Sequence, residues 1–405
     1  MSDIRRVAIT GMGAITSLGH DVPSLLEPLG EGLSPVELLP ERQEMGFRSA
    51  LAARVRGFEP PEISRTYERT MGRAARMSLC AAQEAIRDAG LGEGDLQNPR
   101  TGVIVGNVGN YEEVYAACKR RSEGRHPSAF AAARTMGSSV SANLSVYFKT
   151  QGYTLTVAAA CSSGSAAVLY ACDLIRHGIQ DRCLVGASQE EGWELHGCFD
   201  SMRVFSGRKD APKKASRPFD RDRDGLVPSG GVGFLVIEDL AAAQARGANV
   251  HAEIVGWASN SDGSDMSIPA GDGSAKCMRL ALEHGGLSSH EVDLVKAHAT
   301  STKAGDTSEA QAICNVFPHG PYVTAPKSIT GHELGASGVT ELIYSVLMLK
   351  NGFISPTINL ENIDEECAGI NVVTSRKPVD DVNVACCNSF GFGGVNVVLV
   401  IRKTS

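Results

Sequence analysis

The 405-residue sequence predicts an α/β fold, and three observations carry that expectation. Short apolar runs rich in β-branched residues alternate with helix-patterned stretches along the whole chain. Those runs show little polar alternation, as strands covered on both faces do. Glycine is abundant, at 44 residues, while aromatic content is only 5%, which suits tightly packed layers joined by turns.

Taken in order, RRVAIT gives a first strand, Arg6 to Ile9, running into a Gly-rich turn. TGVIVGN, TLTVAAA, RCLVGAS and GVGFLVIEDL follow as strands, with RAARMSLCAAQEAIRDAG and GSAAVLYACDLIRHG among the helices between them. After LAAAQARGANVH the strands resume with AEIVGWAS, LVKAHAT, GINVV, VNVACCNSF and GVNVVLVIR. Two halves of similar grammar suggest an internal duplication divided near residue 248, into 1–248 and 249–405.

Composition excludes several function classes. Apolar content of 42% and charge of 21% describe an ordered globular chain. A net charge of −7 argues against a general nucleic-acid binder. No apolar run is long enough to span a bilayer. The start MSDIRRVAITGMGAITSLG mimics a signal peptide, but glycines and hydroxyls interrupt its apolar stretch, so the expected compartment is the cytoplasm. Eleven cysteines lie scattered without C-x-x-C pairs, so no metal site is expected and most should be small buried hydrophobes. GMGAITSLG opens like a dinucleotide loop, but its third glycine is misplaced and no acidic residue follows at the required distance. GRKDAPKKASRPFDRDRDG, Gly207 to Gly225, reads as a charged surface loop.

AACSSGSA, at Ala159–Ala166, poses the functional question. Cys161 closes a strand and opens a helix whose buried face is marked by Val168, Cys172 and Ile175, with Ser165 one turn earlier. A thiol there meets backbone N–H groups and the positive helix end, which lower its pKa. By itself the stretch leaves nucleophile and packed thiol both open. His298 follows an apolar strand in DLVKAHATST, with hydroxyls at Thr300, Ser301 and Thr302. Lys327 and His332 lie in APKSITGHELGASG, and NSFGFGGVN forms a further glycine loop. Several glycine-bearing loops after strands build a cleft at one sheet edge.

With these motifs in their order and spacing, the chain resembles the β-ketoacyl-acyl-carrier-protein synthases of the thiolase superfamily along essentially its whole length. The carrying segments are AACSSGSA, SRPFDRDRDGLVPSGG, AHATSTKAGDTSEAQAI, KSITGHELGASG and NSFGFGGVN. They resemble the elongating type with Cys-His-His, and the tail is most similar to the bacterial type I enzyme. The resemblance implies a thiolase-like five-layered αβαβα fold of two duplicated halves with mixed sheets. It implies an acyl chain on Cys161 and an oxyanion hole from the backbone N–H groups of Cys161 and Phe392. His298 and His332 would hold the malonyl thioester oxygen. Lys327 would order them, with Glu309 as its partner. Thr300 and Thr302 would bind the pantetheine amides, and Phe390, Gly391 and Gly393 would form a gating loop. Substrates would arrive on the phosphopantetheine arm of acyl carrier protein, with no other cofactor, and the chain would form a homodimer. An acidic carrier implies a basic docking surface, for which Arg65, Arg69, Lys119, Arg120, Arg125 and Arg208 are candidates.

Ala299, Lys303, Pro326 and Val395 depart from the family's usual residues without removing a catalytic group. They leave the acyl substrate open, with a specialised polyketide or polyene ketosynthase as the alternative. A non-catalytic chain-length partner would lack the cysteine. A thiolase would carry a second cysteine in the last glycine loop, which NSFGFGG does not.

Overall fold

Val7–Thr16 forms a ten-residue strand, β1, buried along its full length. In this computed structural model, which describes residues 4–266 and 271–404, the expected Gly-rich turn is therefore strand. The reason is packing. Helix α1, Arg73–Asp88, lies so close that a Cβ on Gly11 would meet the Ala85 carbonyl oxygen at 2.0 Å, and one on Gly13 that of Ala81 at 1.9 Å. These glycines serve close approach rather than chain reversal.

The first half continues with β2 (Thr101–Asn107), β3 (Thr154–Val157), β4 (Arg182–Gln189) and β5 (Gly231–Asp239). The second half supplies β6 (Ala252–Ser261), β7 (Leu294–Lys296), β8 (Tyr322–Thr324), β9 (Asn371–Val372), β10 (Val384–Gly391) and β11 (Val395–Lys403). All eleven join in one sheet, in the order β9-β8-β7-β10-β11-β6-β1-β5-β4-β2-β3. Either side of the β6–β1 seam the order is the same: β8-β7-β10-β11-β6 repeats β3-β2-β4-β5-β1. The directions repeat too, with parallel pairs in the outer part of each half and antiparallel pairs towards the seam. The seam itself is short, pairing Val7–Ile9 with Ala252–Ile254.

Alternation along the strands divides the core into three apolar layers. On β5, Val232, Phe234 and Val236 pack with α1 residues such as Leu79 and Ala82, while Leu235 and Ile237 point to the opposite face. On β10, Val384 and Cys386 face helices α3 (Gly271–Gly285) and α4 (Lys303–Val316), while Ala385 and Cys387 turn inward. The inward residues of both halves meet on two central helices, α2 (Ser163–Arg176) and α5 (Ser337–Asn351). Helix, one half of the sheet, the central helices, the other half of the sheet and helix make five layers. Val168, Cys172 and Ile175 form the buried face of α2, and 13 of the 15 residues of α5 are buried.

The 207–225 segment departs from a plain surface loop. Its first part is exposed, but Arg217, Phe219, Asp220 and Arg223 are buried. Its charges enter the interior because they are paired, Arg217 with Asp220 at 3.0 Å and Arg223 with Asp364 at 2.6 Å.

Gly13→Ala tests the contact between β1 and α1. Overpacking against the Ala81 carbonyl should cost about 3 kcal/mol, read as a lowered Tm relative to Ala at an exposed control glycine such as Gly94, whose φ is ordinary and whose Cβ position is open.

Candidate active site

Cys161 lies where β3 hands over to α2. Ala160 takes φ 48°, a left-handed turn that brings the chain sharply round, and the helix begins at Ser163. Ser163 Oγ fixes this elbow by accepting from the Ala159 N–H at 2.8 Å and donating to the Ala160 carbonyl at 2.7 Å. Ser162 Oγ reaches the carbonyls of Ser389 and Val395, at 3.0 and 2.9 Å, tying the elbow to the β10–β11 hairpin. The hairpin turn carries Phe390, Gly391, Phe392 and Gly393. From it the Phe392 N–H points at Cys161 Sγ, as does the N–H of Cys161 itself. Two converging backbone donors form the geometry of an oxyanion hole.

The histidines arrive from the second half. Cys161 Sγ and ring nitrogens of His298 and His332 all lie within 4.8 Å of one another. The two imidazoles meet edge-on, with centroids 5.3 Å apart. Lys327 Nζ stands 3.3 Å from His298 Nδ1. An ammonium only donates, so the imidazole proton sits on Nε2. His332 Nδ1 is 3.1 Å from Ser337 Oγ at the start of α5, and its buried Nε2 has no hydrogen-bond partner among the described residues. Burial, with the Lys327 charge in support, holds both histidines well below the ordinary imidazole pKa, so both are neutral at pH 7. Such a sulfur–nitrogen trio could capture a thiophilic ion, but the adjacent Lys327 ammonium opposes a cation.

Two sequence expectations need correction. The thiol of Cys161 is not lowered in this closed cavity. With the residue only 8% exposed, burial pushes it up to about 11, against the opposing pull of Lys327 and the two N–H groups. Nor does Glu309 pair with Lys327. Glu309 accepts from the backbone N–H groups of His298 and Ala299, each at 2.7 Å, and from Asn388 Nδ2 at 2.9 Å, which shapes the turn that presents His298. The ion-pair partner of Lys327 is Glu341 on α5, at 2.5 Å.

Thr300 and Thr302, hydroxyls 3.0 Å apart, line a cavity of about 230 Å³ that ends at Cys161, between the histidines and the Phe390–Gly393 turn. A wider groove of about 950 Å³ lies elsewhere, bordered by Arg65, Arg69, Arg73, Arg76 and Arg134. Arg65 and Arg69 are exposed there, and Arg69 stacks over Phe130 at 4.7 Å. Lys119 and Arg120, late in the helix Tyr111–Ser122, and Arg125 beyond it are also exposed, with Arg125 paired to Glu123. Arg208 is half-buried and donates to the Asp222 carbonyl at 3.1 Å, leaving it the least available of the six.

Sequence reading missed Glu341, Ser337, Asn388 and Lys296. Two carried a signal, since Glu341 and Lys296 are lone charges inside otherwise apolar runs. Replacing Lys327 with Met removes the cation that most favours the Cys161 thiolate. Alkylation of Cys161 by iodoacetamide near pH 8 should slow about tenfold, with exposed Cys118 and Cys198 as internal controls, read by peptide mass.

Known proteins resemble this chain along nearly its whole length. Residues 4–243 match the N-terminal domain of beta-ketoacyl synthases, and residues 251–361 match the C-terminal domain. The chain is 40% identical over 406 residues to 3-oxoacyl-[acyl-carrier-protein] synthase 1 of Haemophilus influenzae, covering 99% of each. A beta-ketoacyl synthase from Burkholderia phymatum superposes with a TM-score of 0.95 at 34% identity, over 99% of this chain and 100% of that one. A ketosynthase solved with a type II polyketide acyl-carrier protein and bound to the hexaketide gives 0.89 at 27% identity, with the same coverage. The chain belongs to the β-ketoacyl synthase family.

Proposed function

We infer that the protein is an elongating β-ketoacyl-[acyl-carrier-protein] synthase, an acyltransferase of fatty acid biosynthesis that lengthens an acyl chain held on Cys161. The observation that carries this is the meeting of Cys161 Sγ, two neutral histidines and the Phe392 N–H at the end of one cavity. In the first half-reaction Sγ attacks the thioester carbonyl of an acyl carrier. The carbonyl oxygen becomes an oxyanion facing the N–H groups of Cys161 and Phe392. The carrier's thiolate leaves and takes up the proton lost by Cys161. In the second, malonyl carrier loses CO2, and the electrons of the broken C–C bond pass into the thioester as an enolate. An imidazole N–H at Nε2 of His298 and at Nε2 of His332 would stabilise that oxygen, the latter if Ser337 donates to Nδ1. The enolate carbon then attacks the acyl carbonyl, the S–C bond breaks, and Cys161 leaves as the thiolate. Thr300 and Thr302 would hold the pantetheine arm. Every step uses groups of this chain, so the reading requires no further cofactor and no metal.

The carrier would dock on the arginine groove, where Arg65 and Arg69 make no ion pair among the described residues. A homodimer contact would run along β3. This strand lies at the sheet edge, unpaired on one side among the described residues, and Tyr153 and Leu155 stand exposed, as do Val146 and Tyr170. No helix among the described residues is long and apolar enough to cross a membrane, and the reading places the reaction in the cytoplasm.

A second reading, a ketosynthase of a specialised polyketide or polyene pathway, is favoured by one structural likeness, to the polyketide ketosynthase bound to its carrier. One experiment addresses both. Incubation with acyl carriers of varied length should add a single acyl mass that disappears in Cys161→Ala. Saturated fatty chains loading best supports the first reading, and polyunsaturated or polyketide chains loading best supports the second. No adduct, or one that survives Cys161→Ala, rejects both. Charge reversal at Arg65 together with Arg69 should raise KM for acyl carrier at least about tenfold and leave a small thioester mimic unchanged. Equal effects on both substrates would sink the docking assignment.

A further inference from the structure

Lys296 is a second buried lysine at the site, and nothing in the mechanism above uses it. It closes β7, two residues before His298, and is 1% exposed. Its Nζ lies 2.5 Å from Glu341 Oε2 and 2.5 Å from the Asn388 carbonyl. The other oxygen of the same carboxylate, Oε1, lies 2.5 Å from Lys327 Nζ. One glutamate thus bridges two ammonium groups inside the protein.

We propose that Lys296 is a positioning residue that sets the charge of the catalytic cavity, by sharing Glu341 so that Lys327 remains an uncancelled cation beside His298 and Cys161. With Lys327 alone, Glu341 would form a neutral pair whose fields largely cancel at the sulfur. With both lysines the three groups carry a net positive charge, and its nearest part faces the thiol and the imidazoles. A buried ammonium without a partner is costly, so Lys296 holds this excess only because Glu341 and the Asn388 carbonyl both accept from it. The charged and titratable groups around it come from every element packed there. They are Glu341 from α5, Lys327 from the turn Lys327–Thr330, Glu309 from α4, His298 and His332 across the cavity, and the thiols of Cys386 and Cys387 on β10. Glu309 does not undo the excess at the sulfur, because it is turned to the backbone of His298 and Ala299 and to Asn388. Lys296 also reaches Asn388 on β10, the strand that leads into the turn bearing the Phe392 donor. It therefore joins the charge on the nucleophile to the position of its oxyanion hole.

That this charge acts on a catalytic nucleophile rests on the ketosynthase reading, but the test does not. The rate of Cys161 alkylation by iodoacetamide is measured against pH in the full-length protein, in Lys296→Met, Lys296→Gln and Lys296→Arg, with Tm taken alongside. Removing the charge should move the profile upward by about one pH unit, a roughly tenfold slower alkylation at fixed pH, in whichever neutral variant folds. Lys296→Arg should return the profile towards the native one. An unmoved profile in a folded neutral variant overturns the proposal, as does an Arg variant that behaves like Met. If both neutral variants fail to fold while Arg folds, the lysine is structural and the proposal fails. Because alkylation needs no carrier or acyl chain, failure of the condensation reading would leave this profile intact and would be seen separately.

Discussion

The close crossing of α2 and α5 is the constraint on which the site depends. A Cβ on Gly338 would fall 2.2 Å from the Ser165 nitrogen, and one on Gly164 would come 3.0 Å from the Val339 nitrogen, so the two helices touch backbone to backbone near their N-termini. Each central helix belongs to one half of the duplicated fold. Their contact brings Cys161, at the head of α2, close to Glu341 in the second turn of α5, while Ser337 at the start of α5 meets His332. Two positive helix ends therefore converge on one point, which suits chemistry that develops negative charge on a sulfur and on a thioester oxygen. Side chains on either glycine would separate the helices and open that point.

A second layer of constraint is electrostatic. Lys296, Lys327, Glu309 and Glu341 are each no more than 2% exposed, a concentration of charge that would not survive in an apolar interior unless paired. Breaking one member of a buried ion pair typically costs about 3–5 kcal/mol, so these residues fix the relative placement of β7, β10, α4 and α5 as well as the field in the cavity. Glu333, beside His332, is also buried. Desolvation raises its carboxyl to about 8, so it is held protonated at neutral pH, hydrogen-bonded with Thr340 and Tyr344.

The backbone shows where this arrangement is held against its own preference. Ala160, Ser301 and Leu334 all take left-handed φ values, of 48°, 69° and 45°. They sit next to Cys161, within the turn after His298, and two residues after His332. Non-glycine residues adopt that region at a cost, which the surrounding hydrogen bonds offset. Ser301, for instance, is clamped by its N–H to buried Asp306 at 3.1 Å and by its Oγ, which accepts from the Arg217 N–H at 3.0 Å.

By itself the sequence determined the alternating layers, the buried face of α2 and the identity of Cys161, His298, Lys327 and His332 as a set. Hydrophobic periodicity and loop chemistry are local properties, so they can be read from neighbouring residues, and the family likeness supplied the grouping. Tertiary structure decided what depends on distance. Gly11 and Gly13 read as a turn because their role is defined by a helix some 70 positions away. Glu309 read as the partner of Lys327 because the side chain that pairs with that lysine, Glu341, becomes its neighbour only through the packing of α5. The pKa of Cys161 went the same way. A helix end pulls it down locally, but the closed cavity pushes it up, and burial is a sum over the whole fold rather than over adjacent residues.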